Sequence, residues 1–197
     1  MDKRKLQLLM GSYAPYPGVY VYDKFTDAND VSLDAHILDK PKTALWSEVV
    51  GTWDIQTNQA NAATISGYAA AVVESGYADC TVSVIVKSVI NANNAYIVFR
   101  YVDGNNYLTF NLNNTLDRVT FAQKVSGSIT VLLNENVTIT TGNDYVLSAI
   151  LSGNTVKCYI DGVLKIDTTN NNLLTATKHG ILSEAALQKF DEFQVSK

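Results

Sequence analysis

Alternation of apolar and polar residues with a period of two runs along the chain from about residue 50 onward. This pattern is typical of half-buried β-strands, and no segment carries a helical repeat of useful length. It predicts strands at residues 51–56, 62–66, 68–75, 80–89, 95–102, 107–113, 118–125, 129–137, 145–152, 155–160, 163–168, 179–185 and 189–195. Many short strands at this spacing indicate an all-β sandwich or barrel.

The segments between these strands have the residue types of tight turns. Asp103-Gly104-Asn105 and Asp161-Gly162 tolerate the positive φ angles of short hairpins. Prolines occur only at positions 15, 17 and 41, outside the predicted strands, as a hydrogen-bonded ladder requires. The turns therefore support the same all-β interpretation.

The strand pattern begins at about residue 19, which divides the chain into two parts. Residues 1–18 are predicted to form an extended N-terminal arm, because Tyr13, Pro15, Tyr16 and Pro17 favour an extended path. Residues 19–197 are predicted to form one sandwich domain. The arm is a candidate contact for assembly into a homo-oligomer.

Composition describes a globular protein with few charges. Hydrophobic residues make up 47% of the 197 residues, charged residues 17%, and the net charge is −4. The basic residues are dispersed apart from Lys3-Arg4-Lys5 in the arm. Nucleic-acid grooves need clustered lysine and arginine, so a nucleic-acid partner is not expected.

Neither a membrane span nor an export signal is predicted. No apolar run approaches the roughly 20 residues of a membrane helix. The apolar stretch after the basic cluster, residues 6–10, is shorter than the core of a signal peptide. We therefore expect folding in a reducing host cytoplasm, with Cys80 and Cys158 as buried free thiols.

Several segments resemble, in order, the concanavalin A-like (LamG-like) jelly-roll domains. They are DKFTDA at 23–28, GTWDI at 51–55, FRYVDGNNYLTF at 99–110, the hairpin at 156–166, HGI at 179–181 and FDEFQV at 190–195. The resemblance covers about residues 20–197. It implies two facing antiparallel sheets, one of them concave.

That family contains lectins, carbohydrate-binding modules, glucanases and structural domains of phage tails and other virion proteins. The fold therefore does not decide the function. Glucanases of this fold place carboxylates on alternate residues of one strand, in a Glu-x-Asp-x-x-Glu pattern, which this sequence lacks. A loop could bring Glu74, Asp79 or Glu135 together instead. His36 and His179 have no nearby nucleophile motif, so we expect no enzyme.

The resemblance also implies a calcium site. Many jelly rolls of this kind hold calcium between the opening segment and an acidic residue on the last strand. Asp23 and Asp191 occupy the matching positions. Calcium prefers six to eight oxygen ligands, which backbone carbonyls could complete. The alternative is that both residues are surface carboxylates or turn caps.

One face of the central hairpin is predicted to bind a ligand. Alternation sends Ile97, Phe99 and Tyr101 toward the core. The opposite face holds a polar and aromatic set: Tyr96, Arg100, Tyr107, Thr109 and Asn111. Aromatic rings stack on the C–H faces of sugars, and arginine and asparagine bond to hydroxyls. The alternative is an ordinary solvated sheet face. Trp46 and Trp53 are expected in the core.

These observations favour a lectin-like module without enzymatic activity. We expect it to be a virion component, in a phage head decoration or tail, that contacts glycan or a protein partner. The reducing compartment and the arm, a possible docking tether, favour this setting. A purely structural virion subunit is the alternative, and a glycoside hydrolase ranks third.

Overall fold

The computed structural model describes residues 18–90 and 94–197. Fifteen strands and no helix occur in these ranges. The strands are β1 (Val19–Asp23), β2 (Ser47–Val50), β3 (Thr52–Ile55), β4 (Ala60–Thr64), β5 (Ala69–Glu74), β6 (Cys80–Lys87), β7 (Asn94–Asp103), β8 (Asn106–Asn113), β9 (Arg118–Val125), β10 (Ser128–Asn136), β11 (Tyr145–Ser152), β12 (Thr155–Ile160), β13 (Val163–Thr169), β14 (Lys178–Ser183) and β15 (Lys189–Ser196). Accordingly, no helix in the described ranges is long and apolar enough to span a membrane.

The strands build two antiparallel sheets that face each other. The eight-stranded sheet has the order β13-β12-β11-β6-β15-β4-β3, and β1 also pairs with β15. The seven-stranded sheet has the order β10-β9-β8-β7-β14-β5-β2. Because neighbours in each sheet are often distant in sequence, the chain crosses repeatedly between the two layers. This is the predicted two-sheet jelly roll.

The core lies between the sheets and takes every second residue of most strands. On β8, Leu108, Phe110 and Leu112 are fully buried, as the alternation predicts. Trp46 and Trp53 are also buried, and the Trp46 ring packs edge-on against Phe193 at 4.9 Å between centroids. Each such side chain contributes about 1.5–3 kcal/mol through burial.

The cysteine prediction is also confirmed. Cys80 and Cys158 are both buried and both free. Burial raises the pKa of the Cys80 thiol to about 12, so it remains protonated at neutral pH.

A second apolar cluster lies on the outer face of the seven-stranded sheet. Its buried members are Ala70, Val72, Val98, Tyr101, Tyr107 and Leu182. Strand β5 shows why this face is unusual, since residues 69–73 are buried without interruption. An antiparallel strand with one solvated face normally alternates. The outer face of this sheet therefore carries apolar surface of its own.

The predicted strands correspond to strands of the structure, with ends displaced by a few residues. The sequence prediction began the domain at residue 19 but assigned no individual strand before residue 51, so β1 and β2 were not predicted as strands. Strand β2 has only four residues, too few to show alternation, and it is a strand because it pairs with β5. Residues 1–17 of the predicted arm, and assembly through it, lie outside the described residues.

Candidate functional site

Strand register arranges the outward side chains of the seven-stranded sheet in rows. One row crosses from β14 to β10 and consists of Leu182, Tyr96, Asn111, Thr120 and Asn134. The adjacent row consists of Gly180, Val98, Thr109, Ala122 and Val131. Directly paired residues of an antiparallel sheet project to the same face. The predicted residues Tyr96, Thr109 and Asn111 are therefore brought together on this face.

Arg100 does not belong to this face, which corrects the sequence prediction. Its backbone adopts a left-handed conformation, with φ of 50°, at a bulge in the pairing of β7 with β8. The guanidinium is fully buried and donates to the carbonyl of Gly153 at 2.6 Å and to the Asp79 carboxylate at 3.1 Å. Arg100 thus ties the two sheets together instead of facing a ligand.

The same bulge brings Tyr101 to the outer face, although alternation predicts it in the core. An extra residue in one strand reverses the direction of the side chains that follow it. The Tyr101 ring lies parallel to that of Tyr107, with centroids 6.0 Å apart. Tyr68, Tyr96, Tyr101 and Tyr107 together form a surface that we call the tyrosine platform.

A small depression that is open to solvent lies within the tyrosine platform. Ala70, Val98 and Leu182, from three neighbouring strands, lie at its centre. Val49, Val50 and Tyr68 line one side, and Tyr101, Gly104 and Tyr107 line the other. None of these residues is charged, and their only side-chain polar atoms are tyrosine hydroxyls. We call this depression the apolar well.

Glu184 provides the acidic group beside the platform. Its Oε1 accepts a hydrogen bond from the Tyr96 hydroxyl at 2.6 Å, and its Oε2 accepts one from the Asn94 amide. Asn111 in turn donates to Asn94 Oδ1 at 3.3 Å. Burial first, and then the hydrogen bond to Glu184, raises the pKa of Tyr96, so its hydroxyl stays protonated. The result is a connected polar border next to the apolar well.

A positive charge marks another part of the border. Lys124 Nζ lies 5.7 Å from the centroid of the Tyr107 ring, within the range of a cation–π contact. Burial, together with the Tyr68 hydroxyl and its hydrogen bond, raises the pKa of Tyr107 to about 12. Tyr107 is therefore a neutral hydrogen-bonding group at physiological pH, and the platform offers polar groups of both signs around an apolar centre.

The two carboxylates predicted to bind calcium, Asp23 on β1 and Asp191 on β15, have different hydrogen-bond partners. Asp23 is fully buried and accepts from Phe25 N at 2.7 Å, His36 Nε2 at 2.9 Å and Trp46 Nε1 at 2.7 Å. Asp191 accepts from its neighbour Glu192 N. Among the described residues, no group of three or more His, Cys, Asp or Glu side chains could hold a metal ion. Calcium binding itself stays a prediction.

Asp191 lies in a partly buried and acidic environment. Burial, followed by the nearby charge of Glu192, raises the pKa of Asp191 to about 6. Asp23 organises the segment between β1 and β2, because its hydrogen-bond donors come from residues 25, 36 and 46. His36 also bonds through Nδ1 to Asp27 Oδ2 at 3.0 Å. This histidine is held between two carboxylates and has a structural role.

His179 is structural as well. The side chain is fully buried. Its Nε2 atom lies 3.5 Å from Cys80 Sγ and 2.9 Å from the carbonyl oxygen of Tyr77. Burial lowers its pKa to about 4, so it is neutral at physiological pH. With a neutral thiol beside it, the pair is not an activated nucleophile.

Sequence reasoning missed several residues of the face, chiefly Tyr68, Tyr101, Leu182 and Glu184. One signal could have pointed to them. The run of apolar residues at 69–73, without alternation, indicates a strand that is buried on both faces. Residues paired with such a strand, as Leu182 is with Ala70, belong to a covered or ligand-binding surface.

Comparison with solved structures identifies the fold. The carbohydrate-binding module CBM66 from Bacillus subtilis superposes with a TM-score of 0.64 at 21% identity, covering 77% of this chain and 95% of that one. A β-glucanase from Bacillus licheniformis gives 0.62 at 13% identity, covering 92% and 99%. Domain 4 of AbnA, a GH43 extracellular arabinanase from Geobacillus stearothermophilus solved with arabinotriose, gives 0.58 at 15% identity, covering 91% and 92%.

These structures are concanavalin A-like jelly rolls, so the predicted fold is confirmed. At such identities the likeness shows the fold alone, and it includes both a binding module and an enzyme. No protein-family model and no curated protein matches the sequence. The predicted link to phage proteins stays a prediction.

Proposed function

We propose that this protein is a glycan-binding module and that the outer face of the seven-stranded sheet is its binding surface. One observation carries the proposal: four tyrosines surround an apolar well and are bordered by hydrogen-bonding side chains. Aromatic rings cover the C–H face of a sugar, and amides and carboxylates bond to its hydroxyls. The fold neighbours that bind carbohydrate, CBM66 and the arabinotriose-bound domain, support this proposal.

The proposal assigns each predicted residue a place. Tyr96 and Tyr107 provide ring surface, and Asn111 belongs to the polar border beside Glu184. Thr109 is buried between Val98 and Ala122 and supports the platform from within its row. Arg100 makes no contact with the glycan in this arrangement.

A glycan array followed by titration of the best ligand tests the proposal. We expect saturable binding that falls about tenfold in Tyr96→Ala and in Tyr107→Ala, since an aromatic contact contributes roughly 0.5–1.5 kcal/mol beyond area burial. Tyr159→Ala is the matched control, because Tyr159 lies on β12 of the other sheet and alternates with the core residue Cys158. Equal loss in all three variants, or no binding to any glycan, would contradict the proposal.

Binding without hydrolysis is part of the proposal. Retaining glycosidases need two carboxyl groups about 5–5.5 Å apart at the cleaved bond. The two rows of outward side chains that cross the described sheet from β14 to β10 contain no carboxylate. Glu184 at their border already accepts two hydrogen bonds. Incubation with β-glucans and other polysaccharides should release no reducing ends. Release that disappears in Glu184→Gln would show an enzyme.

We also propose the biological setting expected from the sequence, a virion component in a phage head decoration or tail. The buried free thiols Cys80 and Cys158 support folding in a reducing cytoplasm. The protein should then co-sediment with purified particles and be found in them by mass spectrometry. Its absence from intact particles would contradict this setting.

A purely structural subunit is the second candidate, and edge strand β10 favours it. Ile129 and Val131 on this strand are 69% and 51% exposed. Exposed apolar edge strands are sites where another chain can add to a sheet. A structural subunit would be silent on the glycan array, and Val131→Lys would weaken its incorporation into particles.

A further inference from the structure

We infer that the apolar well receives a methyl group of the bound glycan. The methyl group is carried either by a 6-deoxyhexose or by the acetamido group of an N-acetylated sugar. This inference rests on the proposed function, because it specifies which sugars the tyrosine platform selects.

The lining of the well carries the argument. Its centre consists of the aliphatic side chains of Ala70, Val98 and Leu182. A sugar hydroxyl placed against them would lose its hydrogen bonds to water and gain none, which makes that pose unfavourable. A methyl group loses nothing of this kind and gains apolar contact. The well therefore discriminates by the polarity of the inserted group.

The Tyr96 hydroxyl offsets only part of this loss, because its proton already has an acceptor within the protein. The Tyr96 hydroxyl donates to Glu184 at 2.6 Å. A sugar hydroxyl can donate to the Tyr96 oxygen, but it cannot accept the Tyr96 proton without breaking the bond to Glu184.

Two glycines, Gly180 in the sheet and Gly104 at the side of the well, lie on this part of the molecule. At Gly180, between Val98 and Val72 in the sheet, a Cβ atom would lie 2.0 Å from the Ala71 carbonyl oxygen, so no side chain can occupy this position. Gly104 at the side of the well has open space around it, with no atom within 4 Å of a Cβ position. A group of methyl size can therefore enter from the Gly104 side.

The surrounding groups complete the recognition of such a sugar. Tyr101 and Tyr107 present parallel rings on one side of the well. Glu184, Asn94 and Asn111 lie at the Tyr96 border, where ring hydroxyls of a seated sugar would find acceptors and donors. The apolar substituent and the hydroxyls of one sugar thus meet different parts of the same surface.

Matched pairs of sugars test the inference by titration with the full chain. The first arm compares L-fucose with L-galactose and L-rhamnose with L-mannose, which differ only in carrying a methyl or a hydroxymethyl group. The second arm compares N-acetylgalactosamine with galactose, and so distinguishes an acetamido methyl from a deoxy methyl. We expect roughly tenfold or greater preference for the methyl-bearing sugar in one arm, as one buried methyl group gives in an apolar pocket.

Val98→Thr is the discriminating variant, because threonine keeps the shape of valine and adds a hydroxyl at the centre of the well. It should reduce the methyl preference to about twofold or less. Ala70→Ser serves as a second variant that adds a hydroxyl at a smaller side chain. The control is Val163→Thr, since Val163 is exposed on β13 of the other sheet. Thermal melting of each variant shows that the protein remains folded.

The outcomes separate the inference from the proposed function. Equal affinity within every sugar pair, with binding still lost in Tyr96→Ala, would overturn the methyl preference and leave glycan binding intact. A methyl preference that is unchanged in both Val98→Thr and Ala70→Ser would also overturn it. Absence of binding to any glycan would refute both.

Discussion

Replacement of Asp23 by asparagine should be among the most destabilising conservative changes in this protein. The carboxylate is fully buried and accepts hydrogen bonds from the Phe25 amide, the His36 imidazole and the Trp46 indole. Asparagine has the same shape but turns one oxygen into an NH₂ donor. That donor would face another donor, and the negative charge beside His36 would be lost.

The magnitude follows from the burial of this pair. His36 is 2% exposed and Asp23 is 0% exposed. Removal of one partner from a buried ion pair costs about 3–5 kcal/mol, because the other partner is left without compensation. A chain of this length loses about 2–4 °C in melting temperature per kcal/mol. Asp23→Asn should therefore melt roughly 6–20 °C below the parent protein.

Guanidinium chloride unfolding at pH 6, followed by tryptophan fluorescence, measures this loss, and Asp27→Asn is the matched control. Asp27 bonds to the other nitrogen of the same imidazole at 3.0 Å, but it is exposed to solvent. Solvent screens an exposed pair, so the control should lose far less stability. Equal losses in the two variants, or an Asp23→Asn variant as stable as the parent, would refute the reasoning.

Three further predictions concern other groups. Burial works to lower the pKa of His36, but its two carboxylate partners outweigh burial and raise it. The stability that His36 contributes is therefore complete below about pH 6.5 and is lost as the pH rises through the pKa of the folded state. The difference in free energy of unfolding between the parent protein and His36→Gln should narrow between pH 6 and 9. Arg100→Met should cost on the order of 1–3 kcal/mol in chemical denaturation through the lost bond to Gly153, yet leave glycan affinity unchanged. If calcium binds, millimolar calcium should stabilise the fold by about 2.7 kcal/mol at 100 times Kd, and the melting temperature should be higher than in EDTA. Asp191→Asn should abolish this gain. Equal melting temperatures in calcium and in EDTA would contradict the calcium prediction.

The sequence alone determined the class of fold and most of the core. Leu108, Phe110 and Leu112 could be assigned to the core from alternation, because the period of two is a local property of an extended backbone. The Asp161-Gly162 hairpin could be assigned from its turn residues, which allow positive φ. The ordered set of segments resembling concanavalin A-like domains then indicated the arrangement of the strands, and the structure confirms it.

The proposed binding surface was only partly predictable, because it combines strands that are far apart in sequence. That Tyr96 and Asn111 share one face of the sheet could be predicted, since β7 and β8 form one hairpin. Leu182 and Ala70 meet Tyr96 only because β14 lies between β5 and β7. Single-strand alternation carries no information about which strands become neighbours, so the apolar well could not be derived from it.

Only the tertiary structure decided the directions of Arg100 and Tyr101. Continued alternation would send Arg100 outward and Tyr101 into the core. The opposite occurs because Arg100 finds Asp79 and Gly153, 21 and 53 residues away, across the interior of the sandwich. These contacts favour a left-handed backbone conformation at Arg100 and a bulge in β7. Beyond the bulge, the side chains of β7 point to the opposite face from the one that alternation predicts. A local sequence pattern cannot encode partners at that distance, and they place Tyr101 on the platform.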